Sequence, residues 1–358
     1  MTTTKTLLLG AGKIGETITH LLHASGDYAL TVADHDEERL APIGALGVRT
    51  VQADFTAARK LRELVSGNDV VLSASPFHLT PRIAQAAVAA GAHYFDLTED
   101  VESTRRVKLL AEGAKTALVP QCGLAPGFIS ILAYAMTRKF DTLRDVHMRV
   151  GALPVYPTNA LKYNLTWSTD GLINEYCNAC EAIIDGRRHE TLALEETEAF
   201  SLDGIAYEAF NTSGGLGTLC DTLAGAVENL NYKTVRYPGH RDLVKMLIRD
   251  LRLGQRRDVL KDVLEASLPM THQDVVLVFV TVSGMREGRL TQESFAKKIY
   301  STTIDGRLYS AIQITTAAGI CAMVDLLREG ALPRAGFVRQ EDAELERFLG
   351  NRFGRYYA

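Results

Sequence analysis

Three glycines in the run Gly10-Ala11-Gly12-Lys13-Ile14-Gly15, directly behind the apolar stretch Leu7-Leu8-Leu9, constrain this chain more than any other feature. A strand ending in this spacing turns sharply into a helix. Gly10 permits the tight turn, Gly12 lets a pyrophosphate approach bare backbone, and Gly15 lets the helix pack close to the sheet. The free N–H groups of the first turn, which holds Lys13 and Ile14, and the helix dipole then face the phosphates. A second apolar run, Leu30-Thr31-Val32-Ala33, ends at Asp34, nineteen residues past Gly15. A carboxylate there accepts the ribose hydroxyls and repels a 2′-phosphate, so the pattern predicts NAD rather than NADP. The alternative is an ordinary glycine turn; the flanking strands and the spaced acid argue against it.

The rest of the first third keeps the rhythm of a parallel sheet covered on both faces. After Leu7–Leu9 the pattern predicts a helix over Ile14–Ser25 and strands at Ala29–Ala33, near Val48–Ala53 and at Asp69–Ser73. A helix over Thr80–Ala90 stops at Gly91, and strands follow at Ala92–Asp96 and Ala117–Val119. Six such strands make a complete Rossmann unit, whose carboxyl-end positions carry the chemistry. Those positions hold Asp34, Asp54, Ala74-Ser75, Asp96 and Cys122.

Beyond Cys122 the alternation stops. Gly123-Leu124-Ala125-Pro126-Gly127 leads into an apolar helix, Phe128–Phe140, with Pro126 suited to its first turn. Strand-like segments appear at Val146–Val150 and Val275–Val282. A turn at Met285–Arg289 precedes another strand near Lys298–Thr303, and Arg249–Lys261 reads as a solvated helix face. The expected fold class is therefore α/β: a Rossmann dinucleotide-binding domain with an inserted mixed α+β substrate and oligomerisation domain. The expected boundaries are 1–125, 126–309 and 310–358.

With 358 residues, 46% hydrophobic content and a formal charge of −4, the chain has cores to bury and no basic stripe. Nucleic acid and anionic membranes are not expected partners. The apolar segment Ser310–Leu327 contains Gln313, Thr315, Thr316 and Asp325 and reads as a buried helix. The N-terminus lacks a signal-peptide core, and the five irregularly spaced cysteines suit free thiols in a reducing cytoplasm. The lone Cys177-x-x-Cys180 pair, in an expected helix over Glu175–Ile184, supplies too few ligands for zinc, so no metal is expected.

Several residue groups can carry chemistry. Asp96 and Glu99 suit a cationic amine and can serve as general base once desolvated. Alternatively Thr98 caps the next helix, with Glu99 and Asp100 complementing its dipole. His78 lies past the fourth strand, where a Rossmann sheet faces the nicotinamide ribose. Cys122 is either a thiol against the nicotinamide or a small buried hydrophobe. Tyr163 and Trp167, in Tyr163-Asn164-Leu165-Thr166-Trp167-Ser168, suit a pocket wall or else a helix start with a core tryptophan. Thr212, Ser213 and Gly214 offer donors for a carboxylate. Arg236 can fork a substrate carboxylate or pair with an acid of the chain, and His240 sits close behind it.

Taken together, the fingerprint, Asp96-Leu97-Thr98-Glu99, Cys122-Gly123-Leu124-Ala125-Pro126-Gly127, Tyr163–Ser168, Thr212–Gly215, Arg236-Tyr237-Pro238-Gly239-His240 and the tail Asn351–Tyr357 resemble the saccharopine dehydrogenase family. The resemblance covers almost the whole chain. It implies a Rossmann domain interrupted by a substrate domain, a C-terminal segment returning to the former, and a homodimer or homotetramer. Saccharopine reductases share the cysteine loop with an aspartate where this chain has Ala125, are longer and tend to use NADP. Ala125, the shorter length and Asp34 lean towards a lysine-oxidising branch. The implied reaction is NAD-dependent oxidative deamination of the lysine ε-amine. The competing expectations are a saccharopine-type reductase working on a secondary amine, and a non-catalytic NAD sensor.

Overall fold

The computed structural model describes residues 3–358. The chain forms two compact units, Met1–Phe128 with Thr315–Ala358, and Ile129–Ile314.

The first unit alternates β1 (Thr4–Leu9), α1 (Lys13–Ser25), β2 (Tyr28–Asp34), α2 (Glu37–Gly44), β3 (Arg49–Gln52), α3 (Ala58–Val65), β4 (Val70–Ser73), α4 (Thr80–Ala90), β5 (His93–Asp96), α5 (Val101–Leu110) and β6 (Ala117–Val119). The sheet runs β3-β2-β1-β4-β5-β6, followed by the short strand Gly336–Phe337, and every pairing is parallel. Leu7, Leu9, Val71, Tyr94 and Leu118 pack with Ile83, Ala87 and Val107 on one side. Leu8, Leu72 and Phe95 are equally inaccessible. Burial on both faces is why these strands read as unbroken apolar runs. The order reverses between β1 and β4, the point where a doubly wound sheet opens a crevice at its carboxyl edge. Gly10, after β1, and Ala74-Ser75, after β4, stand at that point.

The last segment is tied to this unit by a buried carboxylate. Asp325 accepts hydrogen bonds from the Tyr28 hydroxyl at 2.7 Å, Asn351 Nδ2 at 2.9 Å and Arg352 Nε at 3.0 Å. Tyr357 stacks on Phe128 with ring centroids 4.1 Å apart. The helix Ala311–Arg328 is long and apolar enough to cross a membrane by composition, and most of it is buried inside the protein. That burial accounts for its apolarity.

The second unit is built on a mixed sheet. Its strands are β7 (Thr142–Pro154), β8 (Cys180–Ile184), β9 (Arg187–Thr191), β10 (Glu198–Leu202), β11 (Ile205–Asn211), β12 (Asn229–Arg236), β13 (Asp274–Arg286) and β14 (Arg289–Tyr300). The order is β10-β11-β12-β7-β13-β14, with the β8–β9 hairpin branching from β12. Only β12 and β7 pair in parallel. Helices α6 (Phe128–Thr137) and α7 (Thr169–Cys177) and the helix Arg257–Ser267 complete the scaffold.

Local readings fail here in three places. The strand expected near Lys298–Thr303 begins at Arg289, because β14 folds back on β13 through the turn Glu287-Gly288. The helix expected over Glu175–Ile184 ends at Cys177, and Cys180 opens β8, whose pairing with β9 and β12 overrides helical spacing. Arg249–Lys261 is no single helix; Arg252 takes a left-handed conformation, and the regular helix starts at Arg257.

Candidate nucleotide and substrate sites

In the first unit the three glycines have three separable causes. Gly10 has φ +106°, and a Cβ on it would lie 2.6 Å from the Ala74 carbonyl oxygen. A Cβ on Gly15 would lie 2.0 Å from the Gly10 carbonyl oxygen, so α1 packs against the turn itself. Gly12 is different. The nearest atom to a Cβ there is Arg39 Nη1 at 3.9 Å. No packing among the described residues demands a glycine at 12, and the space beside it is the cradle a pyrophosphate needs. Lys13 is exposed at the start of α1, and Ile14 is half-buried behind it.

Asp34 closes β2 with its side chain buried against this loop. Its Oδ2 accepts the Ala11 N–H at 2.6 Å and its Oδ1 the Asp36 N–H at 3.0 Å. His35 Nδ1 lies 3.0 Å from the same Oδ1. The carboxylate is therefore fixed beside the glycine turn with lone pairs left for ribose hydroxyls. Asp54 is exposed past β3, and its carboxylate accepts both the N–H and the hydroxyl of Thr56 at 2.8 and 2.7 Å, which lowers its pKa. Ser75 donates to the Leu9 carbonyl at 3.0 Å, which locks the β4 end onto the β1 end beside Ala74.

Asp96, at the end of β5, is buried. Its Oδ1 accepts the N–H groups of Gln121 at 2.9 Å and Thr98 at 3.0 Å, while Oδ2 has no partner among the described residues. Desolvation outweighs those bonds and pushes the carboxyl up to about 6. Glu99 is half-buried, and desolvation, reinforced by Asp100 and Asp96, pushes it up to about 7. The cap of α5 is Asp100, which accepts the Ser103 N–H at 2.7 Å; Thr98 accepts the Asp100 N–H instead of capping the helix. His78 is exposed in a single tight turn, Phe77–Leu79.

Cys122 requires a correction as a reactive thiol. It is buried, donates to the Val119 carbonyl at 3.1 Å and accepts from Gln340 Nε2 at 3.3 Å, and burial raises its pKa well above normal. A thiol held this way packs the loop and stays protonated.

In the second unit, Arg236 ends β12 with its side chain buried. Its Nε donates to the Tyr176 hydroxyl at 3.0 Å and its Nη1 to the Val235 carbonyl at 2.9 Å. The guanidinium lies 4.8 Å from the Tyr163 ring centroid and 5.9 Å from that of Tyr176. Glu175, also buried, adds a favourable field, but Arg236 forms no ion pair among the described residues. Cation–π contacts of about 0.5–2 kcal/mol each fall short of the several kcal/mol needed to bury an unpaired ion. The Tyr163 hydroxyl and Thr166 Oγ1 are likewise buried without hydrogen-bond partners among the described residues.

His240 completes this cluster from behind. Its Nδ1 lies 2.8 Å from the Leu161 carbonyl and its Nε2 3.0 Å from the Tyr176 hydroxyl. Desolvation and the Arg236 charge push it down to about 3, so the ring is neutral. Leu161 can only accept, which puts the proton on Nδ1 and leaves Nε2 to accept from Tyr176. The expected ligand contact at His240 is thus corrected: both nitrogens are spent, and it acts through Tyr176. Ser213 also departs from expectation, since its hydroxyl donates to the Ala179 carbonyl at 2.8 Å. Thr212 shares its hydroxyl with Thr234 at 2.6 Å. Gly214, at φ +92°, shapes the turn between β11 and β12. Trp167 is half-buried and packs in the same apolar cluster as Tyr163, while Ser168 caps α7 by accepting the Gly171 N–H at 3.2 Å. Sequence reading missed Tyr176, the residue that joins Arg236 to His240. No local signal marks it, because its partners lie 60 and 64 residues away.

A parallel sheet in this order with a nucleotide-type glycine loop, joined to a mixed-sheet unit, defines a Rossmann-type two-unit protein. Comparison with known families gives the narrower assignment. Residues 6–119 match the saccharopine dehydrogenase NADP binding domain, and residues 123–351 match the saccharopine dehydrogenase C-terminal domain. The chain belongs to the saccharopine dehydrogenase family. It is 25% identical over 265 residues to saccharopine dehydrogenase [NADP(+), L-glutamate-forming] of Saccharomyces cerevisiae, covering 68% of this chain and 57% of the yeast protein. It is 22% identical over 315 residues to the mitochondrial alpha-aminoadipic semialdehyde synthase of Bos taurus, covering 84% of this chain and 34% of that protein. The matched region thus spans little more than half, and about a third, of these relatives. An apo structure of the yeast L-Glu-forming saccharopine dehydrogenase superposes with a TM-score of 0.79 at 17% identity, over 98% of both chains, which establishes the shared fold.

Proposed function

We propose that this protein is an NAD-dependent amino-acid dehydrogenase of the lysine 6-dehydrogenase type, which converts the ε-amine of L-lysine to an aldehyde with release of ammonia. The observation that carries the proposal is Arg236, a buried cation lacking an ion-pair partner among the described residues. Glu175 acts on this charge without forming an ion pair with it, so the guanidinium keeps donors for an anion, and an α-carboxylate fits them bidentately. The hydroxyl of Tyr163, whose ring lies against the guanidinium, has no hydrogen-bond partner among the described residues and is a second donor for the same group.

The balanced reaction takes lysine, NAD and water to the semialdehyde, ammonium, NADH and one proton; the aldehyde then closes on the α-amine to a cyclic imine. When bound, NAD accepts the hydride from the carbon that carries the amine. The residues of the chain do the rest. The backbone around Gly12 holds the pyrophosphate, and Asp34 takes the ribose hydroxyls. An ε-ammonium of ordinary pKa, about 10.4, must lose a proton before its carbon gives up hydride. Glu99 and Asp96, raised to about 7 and about 6, are the carboxyls tuned to accept it near neutral pH. The buried Arg236 remains charged throughout and is the candidate partner for an α-carboxylate.

The decisive experiment incubates purified protein with NAD and L-lysine and follows NADH and free ammonia. Both should appear in equal amounts. A second reading, saccharopine oxidation with NADP, is favoured by the name of the yeast relative. Turnover of saccharopine with none of lysine selects it. Binding of NAD without turnover of either leaves a sensor. We further propose a cytoplasmic homo-oligomer with a small-molecule substrate.

A further inference from the structure

The proposed preference for NAD meets a difficulty. The family domain matched by residues 6–119 is named for NADP, and a cation lies beside the glycine loop. That cation is Arg39, whose Nη1 is the atom nearest to the open side of Gly12, at 3.9 Å from where a Cβ would stand. A guanidinium there is the natural partner of a 2′-phosphate. In this chain it is engaged: Arg39 Nε lies 3.1 Å from Asp36 Oδ2. Asp36 does two things at once, because its Oδ1 also caps α2 by accepting the Glu38 N–H at 3.0 Å. The capping bond fixes the carboxylate, and the fixed carboxylate holds the arginine. Other ionisable groups at this corner include Lys13, Asp34, His35, Glu37 and Glu38; His35 faces Asp34, and the two glutamates add negative charge in the first turn of α2.

We propose that Asp36 is a second determinant of nucleotide choice, which acts by neutralising Arg39 and so withholding from a 2′-phosphate the cation beside the glycine loop. This rests on the reading that the first unit binds NAD. Asp34 repels the phosphate directly; Asp36 removes its partner. The two act on different atoms, so their effects on NADP affinity should multiply.

The test is direct binding of NAD and NADP, by calorimetry or quenching of intrinsic fluorescence, to the full-length protein. Asp36→Asn keeps an oxygen for the cap and removes the counter-charge that holds Arg39. It should tighten NADP about three- to fivefold, the range expected for releasing a partly exposed ion pair. NAD affinity should stay within about twofold. Adding Arg39→Gln should cancel the gain, and circular dichroism should show α2 intact in each variant. An unchanged NADP-to-NAD ratio in Asp36→Asn overturns the proposal while leaving the NAD reading in place. A gain that survives Arg39→Gln overturns it as well, since the group responsible is then another. A wild-type protein that binds neither nucleotide, or prefers NADP, removes the reading on which the proposal rests.

Discussion

The glycine loop and the Arg236 cluster are built on opposite principles. At the loop, function depends on side chains being absent: Gly12 leaves open a space that nothing in the chain requires to be open. At the cluster, function depends on side chains brought together from separate elements. Tyr163 comes from a loop, Tyr176 from α7, Arg236 from β12 and His240 from the helix that follows. The first site is made of backbone and is written in six consecutive residues. The second is a relay of hydrogen bonds across more than 60 residues of chain. The lesson concerns unsatisfied groups. Both sites are marked by something the protein does not complete for itself, open space beside a glycine in one and a cation lacking an ion-pair partner among the described residues in the other.

The comparison can be broken most forcefully at the glycines. Gly15→Ala puts a methyl 2.0 Å from the Gly10 carbonyl oxygen, and should cost about 3 kcal/mol or more of stability, as overpacking against rigid backbone does. Gly12→Ala meets nothing closer than 3.9 Å, so its melting temperature should stay near wild type while NAD affinity falls at least tenfold. Equal melting losses in the two variants would erase the distinction between a packing glycine and a binding glycine.

Arg236→Met probes the other site. Losing a charge-assisted anchor should lower kcat/KM for lysine by roughly 10²-fold, a loss of about 2–3 kcal/mol. Stability should hold or rise, since an unpaired buried cation is replaced by an apolar side chain. A melting temperature that collapses would show the cation to be structural and not reserved for a ligand. Tyr176→Phe has a smaller expected effect. It strands Arg236 Nε and His240 Nε2, at about 1–3 kcal/mol of stability, and should raise KM more than it lowers kcat. Wild-type values in that variant would remove Tyr176 as the positioning residue.

The smallest effect is in the pH dependence. Glu99 binds its proton more tightly in the fold than in the unfolded chain, so folding takes up a proton between the ordinary glutamate pKa and about 7. Stability from this group is full below that window and declines as pH rises through it. Over the window Glu99 should account for about 1–3 kcal/mol, and Glu99→Gln should flatten that slope. If Glu99 is also the base, the same substitution removes the rising limb of kcat/KM near pH 7. A slope that persists in Glu99→Gln but vanishes in Asp96→Asn reassigns it to Asp96, the carboxyl raised to about 6.

The nucleotide unit was legible because its signals are short-range. Apolar runs buried on both faces, a helix stopped by Gly91 and an acid at the end of β2 all declare themselves within a few residues. Much of the second unit was not. The hairpins β8–β9 and β10–β11 expose most of β9 and β10 and are tied into the sheet by β12, which arrives from later in the chain, so neither alternation nor propensity marked them. The same limit misplaced Cys180 in a helix. It also left the bonding state of Cys122, Ser213 and His240 open, since a residue type states what a group can donate or accept and never whether a neighbour has already taken it.

By itself, then, the sequence determined a dinucleotide-type turn, the acid beside it and a family membership that the domain matches establish. Those depend on local backbone geometry, which adjacent residues dictate. The tertiary structure decided which polar groups are spent and which are left over. It closed Cys122 and His240, held Arg39 to Asp36, and left Arg236 buried with no ion pair among the described residues, because hydrogen-bond satisfaction is a property of neighbours in space.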